Sequence, residues 1–324
     1  MNKFIADLEY NIINNHYSIS EDEALELYNV PEAQELYNAA FRITISCSRP
    51  DSPVCSIINA KQGSCSENCR YCAQSAHWNT GCKTTGTIEP EQAAKLAQKA
   101  SAHQVDRLSL VTSGRALKGK DFDTLLDCYQ AIKAQCGDTI ELCASAGLLD
   151  REQMVQLKEA GVSRYHHNLE ACRNYYPYVC TTHTYDDRIR TIQYAKDAGL
   201  EICCGGIIGL GESRKDRVEL ALEIRELDVQ SVPINILSPI PGTPLEHQKP
   251  LSKEEILRTF AVFRFIMPAT TIRCAAGRLS LGNNGEEAFR AGADALISGD
   301  LLTVTGSSNL EDLKMLERLG FLEI

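Results

Sequence analysis

Eight short runs rich in aliphatic and β-branched residues recur along the 324-residue chain, and they constrain the fold more than any other feature. They are VCSIINA (54–60), RLSLVTSG (107–114), IELCASAG (140–147), RYHHNLE (164–170), EICCGGIIG (201–209), SVPINILSP (231–239), TIRCAAGR (271–278) and ALISGD (295–300). Amphipathic stretches stand between them: residues 89–104, 121–136, 150–161, 185–199 and 213–227, with acidic first turns and several ending at glycine. Strand then helix, repeated, requires parallel strands joined by helical crossovers. An open doubly wound sheet is compatible with this pattern, but eight units in about 250 residues favour closure. The expected class is therefore α/β, a (β/α)8 TIM-type barrel with an N-terminal helical extension. Residues 1–50 read as that extension and 51–324 as the barrel, closed by the helix NLEDLKMLERLG. No low-complexity or Pro/Ser-rich linker divides the chain.

On such a barrel, active sites form at the C-terminal ends of the strands. The loop after the first strand runs from Asn59 to near Gly86, far longer than an ordinary strand-to-helix link, and long loops in compact domains tend to be functional. It carries GSCSENCRYCAQSAHWNTG, with Cys65, Cys69 and Cys72 in a C-x3-C-x2-C spacing and Tyr71 before the last sulfur. Thiolates suit iron–sulfur clusters, whose all-cysteine form takes four ligands. Three leave one iron open to a cofactor or substrate, as a catalytic zinc keeps an open position. The competing readings are a zinc knuckle finished by His77 or a more distant cysteine, or three buried thiols.

Composition narrows the function. Fourteen cysteines in a chain of this size point to metal binding or catalysis rather than a disulfide framework. The net charge of −10 argues against nucleic-acid binding, which needs a basic surface. Apolar content is 44%, without the run of roughly 18 apolar residues that a spanning helix needs, so no membrane span is expected. The start carries Asp7 and Glu9 where a secretory signal would be apolar, which reads as cytoplasmic.

The motif, its flanks NAKQGSCSENCRYCAQSAHWNTG, and the segments YHHNLE, TTHTYDDRI, GGIIGLGE, VPINILSPIPGTPL and AGR resemble the biotin synthases, a family of radical S-adenosylmethionine (SAM) enzymes, from about residue 50 to the C-terminus. The resemblance implies that Cys65, Cys69 and Cys72 bind a 4Fe-4S cluster whose open iron chelates SAM. Reductive cleavage then gives a 5′-deoxyadenosyl radical that abstracts hydrogen from two unactivated carbons of dethiobiotin, between which sulfur is inserted. The sulfur comes from an auxiliary iron–sulfur cluster, 2Fe-2S or larger. By resemblance, Asn168 and Glu170 hydrogen-bond the adenosyl ribose, Arg188 stands near the SAM carboxylate, Ile207 and Ile208 flank the adenine, Tyr71 joins the cofactor-binding set, and Asn235 faces the ureido group of the substrate. The resemblance also implies a reducing electron-transfer protein of flavodoxin or ferredoxin type and a homodimer. The alternative is a related radical SAM enzyme, of cofactor-maturase type, acting on another small molecule; a non-enzymatic iron–sulfur or zinc protein is the rival from another class.

Two positions depart from the family pattern. His166 stands where the family commonly has asparagine. The auxiliary cluster is commonly held by three cysteines and an arginine, and the matching positions here are Ser109, Cys143, Cys203 and Arg273. Serine is a poor iron ligand, but Cys55 occupies a place on the first strand that is usually serine. The expectation is that Cys55, Cys143 and Cys203, with Arg273 beside them, hold an auxiliary cluster; the competing reading makes Cys55 a core residue and leaves the chain without that cluster. Cys204 and Cys274 each follow a carried-over position and should face the helices, because neighbouring strand residues point to opposite faces. Cys128, Cys136, Cys172 and Cys180 receive no role, since free cysteine commonly serves as a small apolar core residue.

Overall fold

Strand-forming runs close into a parallel barrel in a computed structural model that describes residues 2–48, 50, 52–299 and 309–322. Its strands are β1 (Val54–Lys61), β2 (Arg107–Thr112), β3 (Glu141–Ser145), β4 (Val162–His166), β5 (Glu201–Cys203), β6 (Gly206–Ile208), β7 (Ser231–Ile236), β8 (Thr271–Cys274) and β9 (Ala295–Ile297). The order is β5-β4-β3-β2-β1-β9-β8-β7-β6, and the pairing of Cys203 on β5 with Ser231 on β7 closes the ring. The segments β5 and β6 are successive halves of one barrel position, so the expected eight positions are present. Residue 300, at the end of the eighth expected strand, lies outside the described residues.

The fifth expected strand is broken at Cys204 and Gly205, for a packing reason. A Cβ on Gly205 would lie 1.9 Å from the Pro233 carbonyl oxygen, and one on Gly206 would lie 2.7 Å from that of Glu170. The glycines let three chain segments approach closely. The fourth expected strand likewise ends at His166, because residues 167–170 turn to bond this break. Leu169 and Glu170 N–H donate to Gly205 O (3.0 and 3.2 Å), and Ile207 N–H donates to Glu170 O (2.9 Å). Glu170 adopts φ +69°, a left-handed conformation rare outside glycine.

Helices α1 (Lys3–Asn15), α2 (Glu21–Asn29) and α3 (Ala33–Cys47) precede the barrel. Around it run α4 (Pro90–Ala102), α5 (Lys120–Cys136), α6 (Arg151–Glu159), α7 (Tyr185–Asp197), α8 (Arg214–Glu226), α9 (Lys253–Ile266), α10 (Glu286–Arg290) and α11 (Asn309–Leu319). Capping boxes at Ser20, Asp150, Thr184 and Ser213 start four of them. Helix α9 was not among the stretches read as amphipathic; it buries every residue from Ile256 through Ile266, Arg258, Thr259 and Arg264 included. The N-terminal segment covers α9 and α8: Arg258 Nη1 on α9 donates to the carbonyls of Tyr28 and Val30 (3.3 and 2.8 Å), and Arg225 Nη1 on α8 to that of Ile19 (2.9 Å). Among the described residues no helix is long and apolar enough to cross a membrane.

Candidate active site

The long loop after β1 folds back on itself. Cys65 N–H donates to Gln74 O (3.0 Å), Ala76 N–H to Cys65 O (2.8 Å) and Cys72 N–H to Cys69 O (3.1 Å), while the Trp78 indole donates to Cys69 O (3.0 Å). Asn68 ties the loop to the segment before α7, accepting from Thr181 N–H at 2.9 Å. Cys65, Cys69 and Cys72 thereby line one pocket of about 180 Å3 together with Tyr71, Asn168, Glu170 and Arg188. Among the described residues the three motif sulfurs do not lie within 4.8 Å of one another as a set, a spread too wide for a single metal ion. His77 does not join them; its Nε2 contacts Ser66 O at 3.0 Å. Burial pushes the Cys72 thiol up to about 11.

The strand ends supply the polar wall of this pocket. Asn168 Oδ1 accepts from Gly205 N–H (3.0 Å) and its amide nitrogen donates to Glu170 (3.3 Å), so the strained turn presents both side chains. Arg188, on α7, donates to Tyr176 Oη and Asn168 O, each at 2.7 Å, and lies 3.8 Å from Glu170. Burial opposes its charge, but Glu170, Tyr176 and Tyr71 outweigh that and hold its pKa above the usual value. Burial, reinforced by Glu170, raises the Tyr71 phenol well above its ordinary range. Asn235 donates to Gly206 O (3.2 Å) and accepts from Ala276 N–H (3.2 Å), which fixes the amide while leaving one N–H and one lone pair for a ligand. Strand alternation separates the two isoleucines: Ile207 lines the cavity described next, whereas Ile208 packs into the hydrophobic core.

Below the motif pocket, a cavity of about 350 Å3 extends down the barrel axis. Tyr71, Cys72, Gln74, His166, Asn168 and Glu170 line both spaces, so the two adjoin. Cys55, Cys143, Cys203 and Arg273 all line the lower one, with Ser109 and His166. Cys55 sits opposite Arg107 and Ser109 opposite Cys143 in the ladders. Cys204 and Cys274 are absent from this lining and fully buried. Burial pushes Cys143 up to about 12, with Cys55 adding to the rise. Burial would raise Cys203 as well, but His166, Arg273 and Arg164 bring it down to about 6. Arg273 is fully buried and donates to Ser231 Oγ (2.9 Å), Ser52 O (2.7 Å) and Leu296 O (3.4 Å), which holds it as a charged neighbour of the sulfurs. Sequence reading missed Arg107 and Arg164, which also line this space. Their signal was the two-residue strand period, one step from Ser109 and His166 respectively.

Comparison with known proteins decides among the chemistries this arrangement permits. Residues 61–224 match the Radical SAM superfamily and residues 233–322 the Biotin and Thiamin Synthesis associated domain. The chain is 48% identical over 303 residues to the biotin synthase of Acetivibrio thermocellus, covering 93% of this chain and 94% of that one. It is 51% identical over 268 residues to that of Clostridium botulinum strain Langeland, covering 83% and 84%. The chain belongs to the biotin synthase family. Among solved structures, methylornithine synthase superimposes with a TM-score of 0.79 at 18% identity, covering 97% of this chain and 95% of that one. The FeFe-hydrogenase maturase HydG from Carboxydothermus hydrogenoformans gives 0.81 at 17%, covering 99% and 79%. At such identities the likeness concerns the fold alone.

Membership of the biotin synthase family implies a 4Fe-4S cluster, SAM and an auxiliary iron–sulfur cluster. The residues fit these groups. The motif sulfurs share a pocket yet are too far apart for one ion. At the lower site, Cys55, Cys143 and Cys203 share one cavity with three arginines, and Ser109 Oγ is buried without a hydrogen-bond partner, as expected where a group other than protein completes the wall.

Proposed function

We propose that this chain is a radical SAM sulfur-insertion enzyme that converts dethiobiotin to biotin. The single observation that carries the reading is the pair of adjoining spaces with cysteines at both ends: Cys65, Cys69 and Cys72 above, Cys55, Cys143 and Cys203 below. A substrate between them lies within reach of both a radical source and a sulfur source. When bound, the upper cluster supplies the electron that splits SAM into methionine and the 5′-deoxyadenosyl radical, and the lower cluster supplies the sulfur atom.

The chain's own residues position the reactants. Asn168 and Glu170 take the ribose hydroxyls, Arg188 stands beside the SAM carboxylate, and Tyr71 and Ile207 border the adenosyl group. Asn235 offers its remaining N–H and lone pair to the ureido ring. A primary alkyl radical attacks almost any neighbouring C–H bond, so the enclosed, largely apolar wall must hold the substrate in van der Waals contact and keep water out. At the floor, Cys55, Cys143 and Cys203 are the proposed ligands, and Arg107, Arg164 and Arg273 offset the negative charge of a thiolate-bound cluster. The electron donor is a reducing protein of flavodoxin or ferredoxin type, and the working form is a cytoplasmic homodimer.

The test is anaerobic reconstitution with iron and sulfide, followed by reductant, SAM and dethiobiotin, with mass spectrometry of the products. Both 5′-deoxyadenosine and biotin are expected. Deoxyadenosine without biotin favours the maturase-type alternative, and neither product refutes the radical reading.

A further inference from the structure

Beside the motif loop lies a side-chain set that the proposed reaction does not use. Cys180 and His183, in the segment before α7, meet Cys69 so that the two sulfurs and one imidazole nitrogen all lie within 4.8 Å of one another. All three residues are buried. Cys180 Sγ is 3.3 Å from His183 Nδ1, and the same nitrogen is 2.5 Å from Glu67 Oε2. Zinc binds thiolate at about 2.3 Å and imidazole at about 2.0–2.1 Å, so neighbouring ligand atoms of a tetrahedral site stand roughly 3.5–3.8 Å apart. The Cys69–Cys180–His183 set needs only small side-chain rotations to reach that spacing. The three motif cysteines, spread for a larger cluster, do not form such a set.

We propose that in the cluster-free chain Cys69, Cys180 and His183 form a mononuclear site for a soft divalent cation, zinc above all, that shares Cys69 with the catalytic cluster and therefore excludes it. Zinc binding releases the two thiol protons, while the imidazole stays neutral: its single proton resides on Nε2 once Nδ1 binds the ion, and the Nδ1–Glu67 hydrogen bond is given up. The Glu67 carboxylate keeps its bond from Thr182 Oγ1 (2.8 Å) and remains as a counter-charge beside the ion. Thiolate and imidazole ligands favour zinc over ferrous iron in the general affinity order, so a chain awaiting its cluster is captured by zinc unless iron and sulfide are delivered first. The exclusion rests on Cys69 being a ligand of the catalytic cluster, as proposed above; the zinc site itself does not.

The experiment uses full-length protein freed of iron under anaerobic conditions and titrated with Zn2+ alone. One zinc per chain is expected, with an X-ray absorption spectrum of two sulfur and at least one nitrogen neighbour. Cys180→Ala, Cys180→Ser and His183→Gln each lose roughly tenfold or more in zinc affinity, while Cys65→Ala and Cys72→Ala stay within about twofold of the unsubstituted chain. On reconstitution, the zinc-loaded chain takes up less catalytic cluster, read by its visible absorbance, than the zinc-free chain. A three-sulfur zinc shell, or affinity lost in Cys65→Ala and Cys72→Ala but retained in Cys180→Ser, overturns the proposal. So does a zinc-loaded chain that accepts its full cluster. Because none of these readouts involves biotin, a failure here is distinct from a failure of the proposed reaction.

Discussion

At Asn235 half of the amide's hydrogen-bonding capacity already goes to Gly206 O and Ala276 N–H. The side chain is thus pre-oriented, and a ligand that uses its remaining groups meets a fixed donor and acceptor. Asn235→Ala is expected to weaken dethiobiotin binding by about 1–3 kcal/mol, checked by calorimetry on the reconstituted protein; an unchanged affinity would mean a different substrate pose. Cys69→Ala is expected to abolish release of 5′-deoxyadenosine with the far-UV circular dichroism retained, because the barrel does not depend on one loop sulfur. The cysteine motif was legible in the sequence because its three residues are local and regularly spaced. Arg107 and Arg164 were not, since a charged residue on a strand ordinarily marks a solvent-facing position. Here they point inward, and acidic partners at the barrel's lower rim receive them: Arg107 lies 2.6 Å from Glu141 and Arg164 2.8 Å from Glu201.

Among the elements, β1 carries Cys55, the proposed auxiliary-cluster ligand. Cys55 lies near the start of β1, opposite Arg107, and its thiol lines the cavity that Cys143 and Cys203 also line. As a proposed ligand, Cys55 would lie lower in the barrel than Ser109, which pairs with Ile57 two residues further along β1. Cys55→Ser is therefore expected to lower the iron content and remove the auxiliary-cluster signal from the Mössbauer spectrum while the catalytic cluster's signal remains. Retention of both signals would return Cys55 to the core. The strand count was legible from hydrophobic runs and their spacing. The break between β5 and β6 was not, because it depends on the close approach of Pro233 and Glu170, which are distant in sequence. Helix α9 was missed as well, and the burial of Arg258 within it depends on partners distant in sequence, the carbonyls of Tyr28 and Val30.

Over the whole molecule, the N-terminal helices and the barrel behave as one packed body along α8 and α9. Glu255 anchors this junction, accepting from Arg214 Nη2 (2.6 Å) and Arg217 Nη1 (2.8 Å), while Arg214 Nη1 also reaches Tyr28 O (3.1 Å). The bond from Arg214, more than any other influence, holds the Glu255 carboxyl below its ordinary value of 4.5. A depressed carboxylate contributes stability that is present above the unfolded value and lost as pH falls through the folded one. Thermal stability should therefore decline as pH drops below 4.5. Glu255→Gln should cost on the order of 1–3 kcal/mol at neutral pH and show a shallower decline in acid, measured by scanning calorimetry. An unchanged acid profile in that variant would remove Glu255 from the account.

The same whole-molecule view sets the decisive measurement, because sulfur insertion needs both ends of the cavity loaded at once. The chain is reconstituted anaerobically with sulfur-34 sulfide, freed of unbound sulfide, and given reductant, SAM and dethiobiotin for a single turnover. Biotin isolated from the reaction should carry sulfur-34 and be accompanied by 5′-deoxyadenosine. Unlabelled biotin, or deoxyadenosine with no biotin at all, would contradict a protein-bound cluster at Cys55, Cys143 and Cys203 as the sulfur source.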